Sequence, residues 1–294
     1  MRERTTNDER RTTSNIYAVI LAGGKGKRLK PLSTDLRPKA FLSVTKDKKT
    51  MFRKTVDRAR RIVPETNILV VANKSHSALA EKDFPGIDRR NLLLEPVSKN
   101  TAPAIALAAF TLRERSKDAV MAVLPTDQYI AGEEKYLDAV RKGIDFVSRS
   151  GDALVVLAIK PKSATTGFGY IKLKTESRKP KPGDLYKVDK FVEKPDAATA
   201  EKLVKSGQYL WNTGSFIFRA GAILDAVKNL APAIFEALNG NADIEKAYGM
   251  MPDISIDYAV MEKAANLYCV KGSYLWYDMG SFENIQAVSK YESC

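Results

Sequence analysis

One stretch of the chain carries residue types suited to phosphate chemistry. An apolar run leads into LAGGKGKRLKPLS, from Leu21 to Ser33, and then RPKAFL, from Arg37 to Leu42. Glycines at 23, 24 and 26 let the backbone turn tightly and bring bare N–H groups close to a ligand, an arrangement that favours anions. Lys25, Lys27 and Arg28 add cationic side chains, so a triphosphate is the natural guest. A Rossmann dinucleotide loop wants G-x-G-x-x-G; Gly24 and Gly26 supply its start, but Leu29 stands where the third glycine belongs. The Walker pattern G-x-x-x-x-G-K-[ST] is absent. A plain strand-to-helix turn with surface lysines would suit a lone glycine cluster better. Here the cluster continues through Arg28, Pro31, Pro38 and Lys39, which favours the phosphate loop.

Other residues with chemical potential are more ambiguous. Asp127 follows an apolar strand at its carboxyl end, where open α/β sheets bind ligands, although a lone Asp there is more often a helix cap. Glu193 and Lys194 are neighbours, and for such neighbours an exposed ion pair is the default. Trp211, Phe216 and Phe218 read as core. With a single histidine, His76, a mechanism needing a His triad or a multi-His metal site is close to excluded.

The elements that must position these residues can be read from apolar patterning. Residues 16–22 form a continuous apolar run, as expected of a parallel strand buried on both faces. Similar runs recur at 68–72, 91–94, 119–124 and 154–159. Between them lie helix-like stretches: a short one at 77–82, one at 101–113 with Ile105, Ala109 and Leu112 on one face, and one presenting Leu137, Val140, Ile144 and Val147. Alternating strands and helices imply βαβ units. Residues 169–173 and 185–191 alternate apolar and polar types, which predicts two antiparallel strands joined by a mobile loop rather than an interdomain linker. A further strand is expected at 211–218, and mostly short helices from there to about Ser289.

Composition sets the outer limits. The chain has 294 residues, a hydrophobic fraction of 44%, and 48 Lys+Arg against 35 Asp+Glu, for a net charge of +13. These values describe a soluble globular protein and exclude a disordered chain, a collagen or a small disulfide scaffold. The charge alone suits nucleic acid, an anionic membrane surface or a polyanionic substrate equally. Two cysteines rule out a disulfide framework, leave room for a single pair, and point to a reducing, cytoplasmic setting. No apolar run approaches the roughly 20 residues of a membrane span. The N-terminus imitates a secretory signal, but Glu3, Asp8 and Glu9 contradict that, and residues 1–15 are expected to be a disordered tail.

Further strings complete a pattern: EPVSKNTAPAI from Glu95, LPTD ending at Asp127, GFGYI from Gly167, FVEKP from Phe191, WNTGS from Trp211, SIDYAVME from Ser255 and WYDMGS from Trp276. Together with the glycine loop, and in this order, they resemble the nucleotidyltransferases that activate sugar 1-phosphates, most closely the mannose-1-phosphate guanylyltransferases. The resemblance runs from about Ile16 to Phe282. It implies an α/β fold, a Rossmann-like, mixed, mostly parallel open sheet flanked by helices with a β-hairpin insertion. A single catalytic domain over 16–294 is expected, without the β-helix or isomerase domain into which some members of that family continue.

The reaction so implied is attack of a sugar 1-phosphate oxygen on the α-phosphorus of a nucleoside triphosphate, releasing pyrophosphate. GTP and mannose 1-phosphate would be the substrates, with Mg²⁺ as cofactor. Phosphate monoesters have a second pKa of about 6, so the nucleophile arrives ionised and no general base is required. The burden falls on positioning and charge stabilisation. The family implies that Arg28 contacts the triphosphate and Lys39 the α-phosphate. The nucleotide would also meet Leu21, Ala22, Gly23, Gly24, Lys25, Gly26 and Lys27. Asp127 and Asp278 would hold Mg²⁺. Glu95 would accept the adjacent N1–H and N2–H₂ donors of guanine, with Asn100 and Thr101 at a helix N-terminus beside it. Gly167, Glu193, Lys194, Asn212 and Asp257 match the sugar-phosphate contacts. Thr126 and Gln128 depart from the Ala and His common in the family.

Competing readings are another sugar-1-phosphate nucleotidyltransferase, or a silent nucleotide-sugar-binding regulatory subunit that could dispense with metal and Lys39. Nucleic-acid binding lacks a readable motif, and aromatics do not interleave with the basic stretch 172–190. No nucleic-acid or membrane partner is expected. The oligomeric state is open, with a homodimer as the candidate.

Overall fold

The computed structural model describes residues 15–24, 26–174, 181, 183–241 and 243–293, with the Lys27 side chain left out. The expected tail lies outside these residues except for Asn15, whose carbonyl accepts from Val120 N–H at 2.8 Å. The loop expected to be mobile, over 175–182, lies outside them apart from Lys181.

The strands are β1 (Ile16–Leu21), β2 (Ile68–Asn73), β3 (Leu92–Glu95), β4 (Val120–Pro125), β5 (Gln128–Ala131), β6 (Leu154–Ile159), β7 (Tyr170–Leu173), β8 (Leu185–Val192), β9 (Tyr209–Arg219), β10 (Leu267–Lys271) and β11 (Leu275–Asp278). The helices are α1 (Met51–Ala59), α2 (Ser77–Asp83), α3 (Thr101–Arg115), α4 (Glu133–Ser150), α5 (Ala197–Lys205), α6 (Ala220–Leu230), α7 (Pro232–Leu238), α8 (Ile244–Met250) and α9 (Phe282–Tyr291). No helix among the described residues is long and apolar enough to cross a membrane.

Nine strands form one sheet in the order β3-β2-β1-β4-β9-β6-β10-β8-β7. β1 to β4 and the β6–β10 pair are parallel, whereas β9 runs antiparallel to both β4 and β6. The mixed, mostly parallel sheet read from the sequence is therefore present, and it is open at the β3 edge. At the other end β7 also pairs with β9, so β9, β6, β10, β8 and β7 close on themselves. The expected hairpin of β7 and β8 exists and is part of this closure. Lys187, Asp189 and Lys190 on β8 are exposed, which accounts for its alternating pattern.

Helices cover both faces. α3, α6, α7 and α8 bury one face of the sheet, and α1, α2, α4 and α5 the other. The expected positions Leu137, Val140, Ile144 and Val147 are all buried in α4. α3 departs from its expected one-sided pattern. Ala102, Ala106 and Ala108 are buried along with Ile105, Ala109 and Leu112, because α6 and α7 cover its outer side. Its alanines are the size that such close approach permits.

Three strands were not anticipated. β10 falls in the stretch read as mostly helical, yet it lies between β6 and β8. β5 and β11 are four-residue strands that pair only with each other. Such short strands carry little periodicity, and their partners are remote in sequence.

Candidate active site

The glycine loop leaves β1 at the carboxyl edge of the sheet. Ala22 is buried and gives its N–H to Val71 O at 2.8 Å, so the chain is still sheet-like there. Gly26 has φ 61°, and a Cβ on it would lie 2.7 Å from Lys39 Cβ. Only glycine permits both the left-handed backbone and that approach. Leu29, standing where a Rossmann loop needs its last glycine, is buried in a single helical turn over Lys27–Leu29. Ser33 Oγ straps the loop by donating to Gly26 O at 2.5 Å.

Pro38 is extended and opens the turn Lys39–Phe41, which buries Lys39 against the loop. Lys39 Nζ donates to Asp127 Oδ2 at 2.9 Å and to Asp278 Oδ2 at 3.5 Å. The β5–β11 ribbon is what unites these carboxylates, because it sets Asp278 opposite Gln128, next to Asp127. Met279 N–H donates to Asp127 O at 2.8 Å, and Asn284 Nδ2 to Asp278 O at 2.7 Å. Burial opposes the Lys39 charge, but both carboxylates outweigh it and hold its pKa above the ordinary value. Burial likewise opposes ionisation of Asp127, yet Lys39 holds that carboxyl below its usual range. At Asp278, burial and the Asp127 charge win and push the carboxyl up.

Arg28 is exposed and does not line the cavity, but it joins this cluster from the side. A Cβ on Gly280 would crowd the Asp278 carboxylate and meet Lys39 Nζ at 3.0 Å and Arg28 Nη2 at 3.4 Å. Gly280 therefore leaves space where the two cations and Asp278 converge. Lys25 and the Lys27 side chain lie outside the described residues.

A cavity of about 280 Å³ runs past this cluster in two directions. One end is lined by Leu21, Gly23, Gly24, Glu95, Asn100 and Thr101. Asn100 Oδ1 caps α3 by accepting from Thr101 N–H at 3.0 Å, while Thr101 Oγ1 accepts from Ile256 N–H at 2.8 Å. Burial pushes the Glu95 carboxyl up to about 7, against a hydrogen bond from Tyr248.

The other end is lined by Gly167, Phe168, Glu193, Asn212, Asp257 and Trp276. Asn212 bridges, donating Nδ2 to Asp257 Oδ1 at 2.8 Å and accepting at Oδ1 from Gly214 N–H at 2.7 Å. The Glu193–Lys194 pair is not the exposed ion pair of the default reading, because Glu193 is buried beyond the end of β8. Lys194 adopts φ 45° and places its ammonium on Glu193 and over the Tyr258 ring, outside the cavity lining. Burial, then the Asp257 charge, push Glu193 up to about 7. Its Oε2 has no hydrogen-bond partner among the described residues. Gly167 N–H is already donated to Thr165 Oγ1 at 3.2 Å.

Several contributors were not singled out from the sequence. Ser98 Oγ donates to Gly23 O at 3.2 Å, and Tyr248 holds Glu95. Gly169 has no side chain where a Cβ would lie 2.5 Å from Glu193 Oε2. Gln128, a noted departure, donates to Thr213 O and so ties β5 to the strand that carries Asn212. The strings around Gly167 and Trp276 contained Gly169 and Gly280, but nothing local in them marked the contact each glycine permits.

Two carboxylates reaching the same ammonium form a hard-oxygen pair of the kind that holds a divalent cation with water and phosphate completing its shell. No group of three or more acidic, His or Cys residues that could hold a metal ion exists among the described residues.

Residues 17–293 match the family model described as "Nucleotidyl transferase". A mannose-1-phosphate guanylyltransferase of Escherichia coli (strain K12) is 36% identical over 293 residues, covering 95% of this chain and 60% of that protein. One from Salmonella muenchen is 38% identical, covering 94% and 60% respectively. The chain thus spans about 60% of the length of these curated relatives. A crystal structure from Thermus thermophilus, described as a mannose-1-phosphate geranyltransferase, superposes with a TM-score of 0.84 at 34% identity. That match covers 93% of this chain and 79% of the other.

Proposed function

The chain belongs to the nucleotidyl transferase family, and on that premise we propose that it transfers GMP from GTP to mannose 1-phosphate, yielding GDP-mannose and pyrophosphate. The observation carrying this reading is the sequence of chemistries along one cavity. A buried carboxylate, Glu95, lies at one end, the Lys39–Asp127–Asp278 cluster lies at the middle, and Glu193, Asn212 and Asp257 form the other end. The names of the similar proteins agree with it.

In this reading guanine meets Glu95, which can accept two adjacent donors where a uracil or thymine edge would set an oxygen against it. The triphosphate follows the glycine loop toward Arg28 and Lys39. Arg28 suits the triphosphate through its multidentate fork, and Lys39 suits the α-phosphate as a point charge. Glu193, Asn212 and Asp257 receive the sugar hydroxyls, and Lys194, whose ammonium rests on Glu193 outside the cavity lining, would have to swing inward to meet the sugar phosphate. An oxygen of the sugar phosphate attacks the α-phosphorus, a new P–O bond forms, and the bond to the bridging oxygen of pyrophosphate breaks. No protein base takes a proton, which agrees with the position of His76: it is buried outside the cavity lining, its Nε2 3.1 Å from Asp35 O. Asp127 and Asp278 fit Mg²⁺, which when bound neutralises phosphate charge and polarises the phosphoryl oxygens.

The test is a matrix of nucleoside triphosphates against sugar 1-phosphates with Mg²⁺, read as pyrophosphate release. GTP with mannose 1-phosphate is expected to dominate. Equal or better turnover with dTTP, UTP or CTP overturns the base assignment.

A further inference from the structure

We propose that Tyr248 is a positioning residue for base recognition, holding the Glu95 carboxylate so that its remaining acceptor sites meet a purine edge with adjacent ring N–H and amino donors. This rests on the reading of Glu95 as the guanine acceptor. Glu95 ends β3, is 2% exposed and lines the cavity. No cation pairs with it among the described residues; the one titratable group donating to it is Tyr248, whose hydroxyl reaches Oε1 at 3.3 Å. The other oxygen lies under Gly23, where a Cβ would come within 2.7 Å of Oε2. The carboxylate is thus held between a phenol and a glycine whose lack of a side chain makes room for it.

Tyr248 belongs to α8, 153 residues from Glu95 in the chain, and its ring is completely buried in the core against that face of the sheet. The helix is set by Asp243, whose Oδ1 accepts from Glu245 and Lys246 N–H at 3.0 and 3.1 Å. A buried phenol left unpaired is costly, so its proton fixes one rotamer of Glu95. An ionised carboxylate has about four acceptor sites. Tyr248 takes one at Oε1, and enough remain for both guanine donors. A protonated Glu95 would instead present a hydrogen to N1–H. Burial pushes the carboxyl up and Tyr248 pulls it down, with the balance at about 7. Burial also holds the phenol's own pKa far above its ordinary value, so Tyr248 remains the donor.

The experiment compares wild type, Tyr248→Phe, Glu95→Gln and the double variant in the full chain, measuring kcat and KM for both substrates from pH 5.5 to 8.5. Tyr248→Phe should raise KM for GTP about tenfold at pH 7, the scale of one lost hydrogen bond. It should leave kcat and KM for mannose 1-phosphate within about twofold and move the midpoint of the KM profile to higher pH. In the Glu95→Gln background it should change KM for GTP no further. An effect undiminished in that background, an equal rise in both KM values, or an unmoved midpoint overturns the proposal. Glu95→Gln alone reports on the underlying reading: an unchanged KM for GTP overturns that reading, and this inference with it. Should Tyr248→Phe not fold, Tyr248→3-fluorotyrosine keeps the packing and strengthens the donor. The midpoint must then move to lower pH, and an unmoved midpoint overturns the proposal.

Discussion

Lys39 Nζ donates to Asp127 Oδ2 at 2.9 Å across 88 residues of sequence. In the free protein the ammonium occupies the carboxylates proposed to bind metal, with Asp278 as its second partner. One ammonium thus faces both carboxylates, and under the proposed function a divalent cation would compete with Lys39 for them.

From this follows a result that would not hold if Lys39 merely packed. Lys39→Gln should bind Mn²⁺ more tightly than wild type in the absence of nucleotide, while turnover falls by about 10² to 10³. Calorimetric Mn²⁺ titration alongside pyrophosphate release checks both. Weaker Mn²⁺ binding would contradict the competition.

Asp278→Ala should reduce turnover by about 10³ or more and still leave measurable GTP binding, because the base end of the cavity is built from other elements. Equilibrium binding of GTP beside a turnover assay tests the pair. Loss of both together would mean that Asp278 supports the fold instead.

The Glu95 carboxyl at about 7 gives GTP binding a pH dependence. Guanine donors favour the carboxylate, so affinity should rise about tenfold per pH unit below 7 and level off above it. Linkage in the free protein has the opposite sign. The pKa is raised from 4.5 to about 7, so the stability this group contributes is full below about 4.5 and lost as pH rises through 7. The loss is on the order of 3 kcal/mol. Glu95→Gln should therefore raise the melting temperature at pH 8, change it little at pH 4.5, and flatten the GTP profile.

Gly169→Ala should act on the sugar end alone. The added Cβ would lie 2.5 Å from Glu193 Oε2 and 2.9 Å from the Phe191 ring, so Glu193 must move. KM for mannose 1-phosphate should rise at least tenfold with KM for GTP nearly unchanged. Equal effects on both substrates would argue against Glu193 as a sugar contact.

Much of this was legible in the sequence where the signal is local. The β1 run and the turn at the glycine loop each specify backbone conformation within a few residues, and each lies where local reading put it. Patterning also found the buried face of α4 and the solvated face of β8. Asp127 could be placed at a strand end but not distinguished from a helix cap, because that choice depends on Asp278, far along the chain.

The sequence by itself determined the class of chemistry: a loop that can approach phosphate, the cations and carboxylates to handle it, and a lone histidine that fits a nucleophile already ionised. Only the tertiary structure decided which charges meet. The four-residue β11 pairs with β5 and brings Asp278 beside Asp127. The closure of β7 on β9 sets Gly169 beside Asn212, whose N–H donates to Gly169 O at 2.9 Å. α8 carries Tyr248 to Glu95. These are pairings between segments remote in sequence, held by burial and single hydrogen bonds that no local pattern encodes, and the same burial places the Glu95 and Glu193 carboxyls near neutrality.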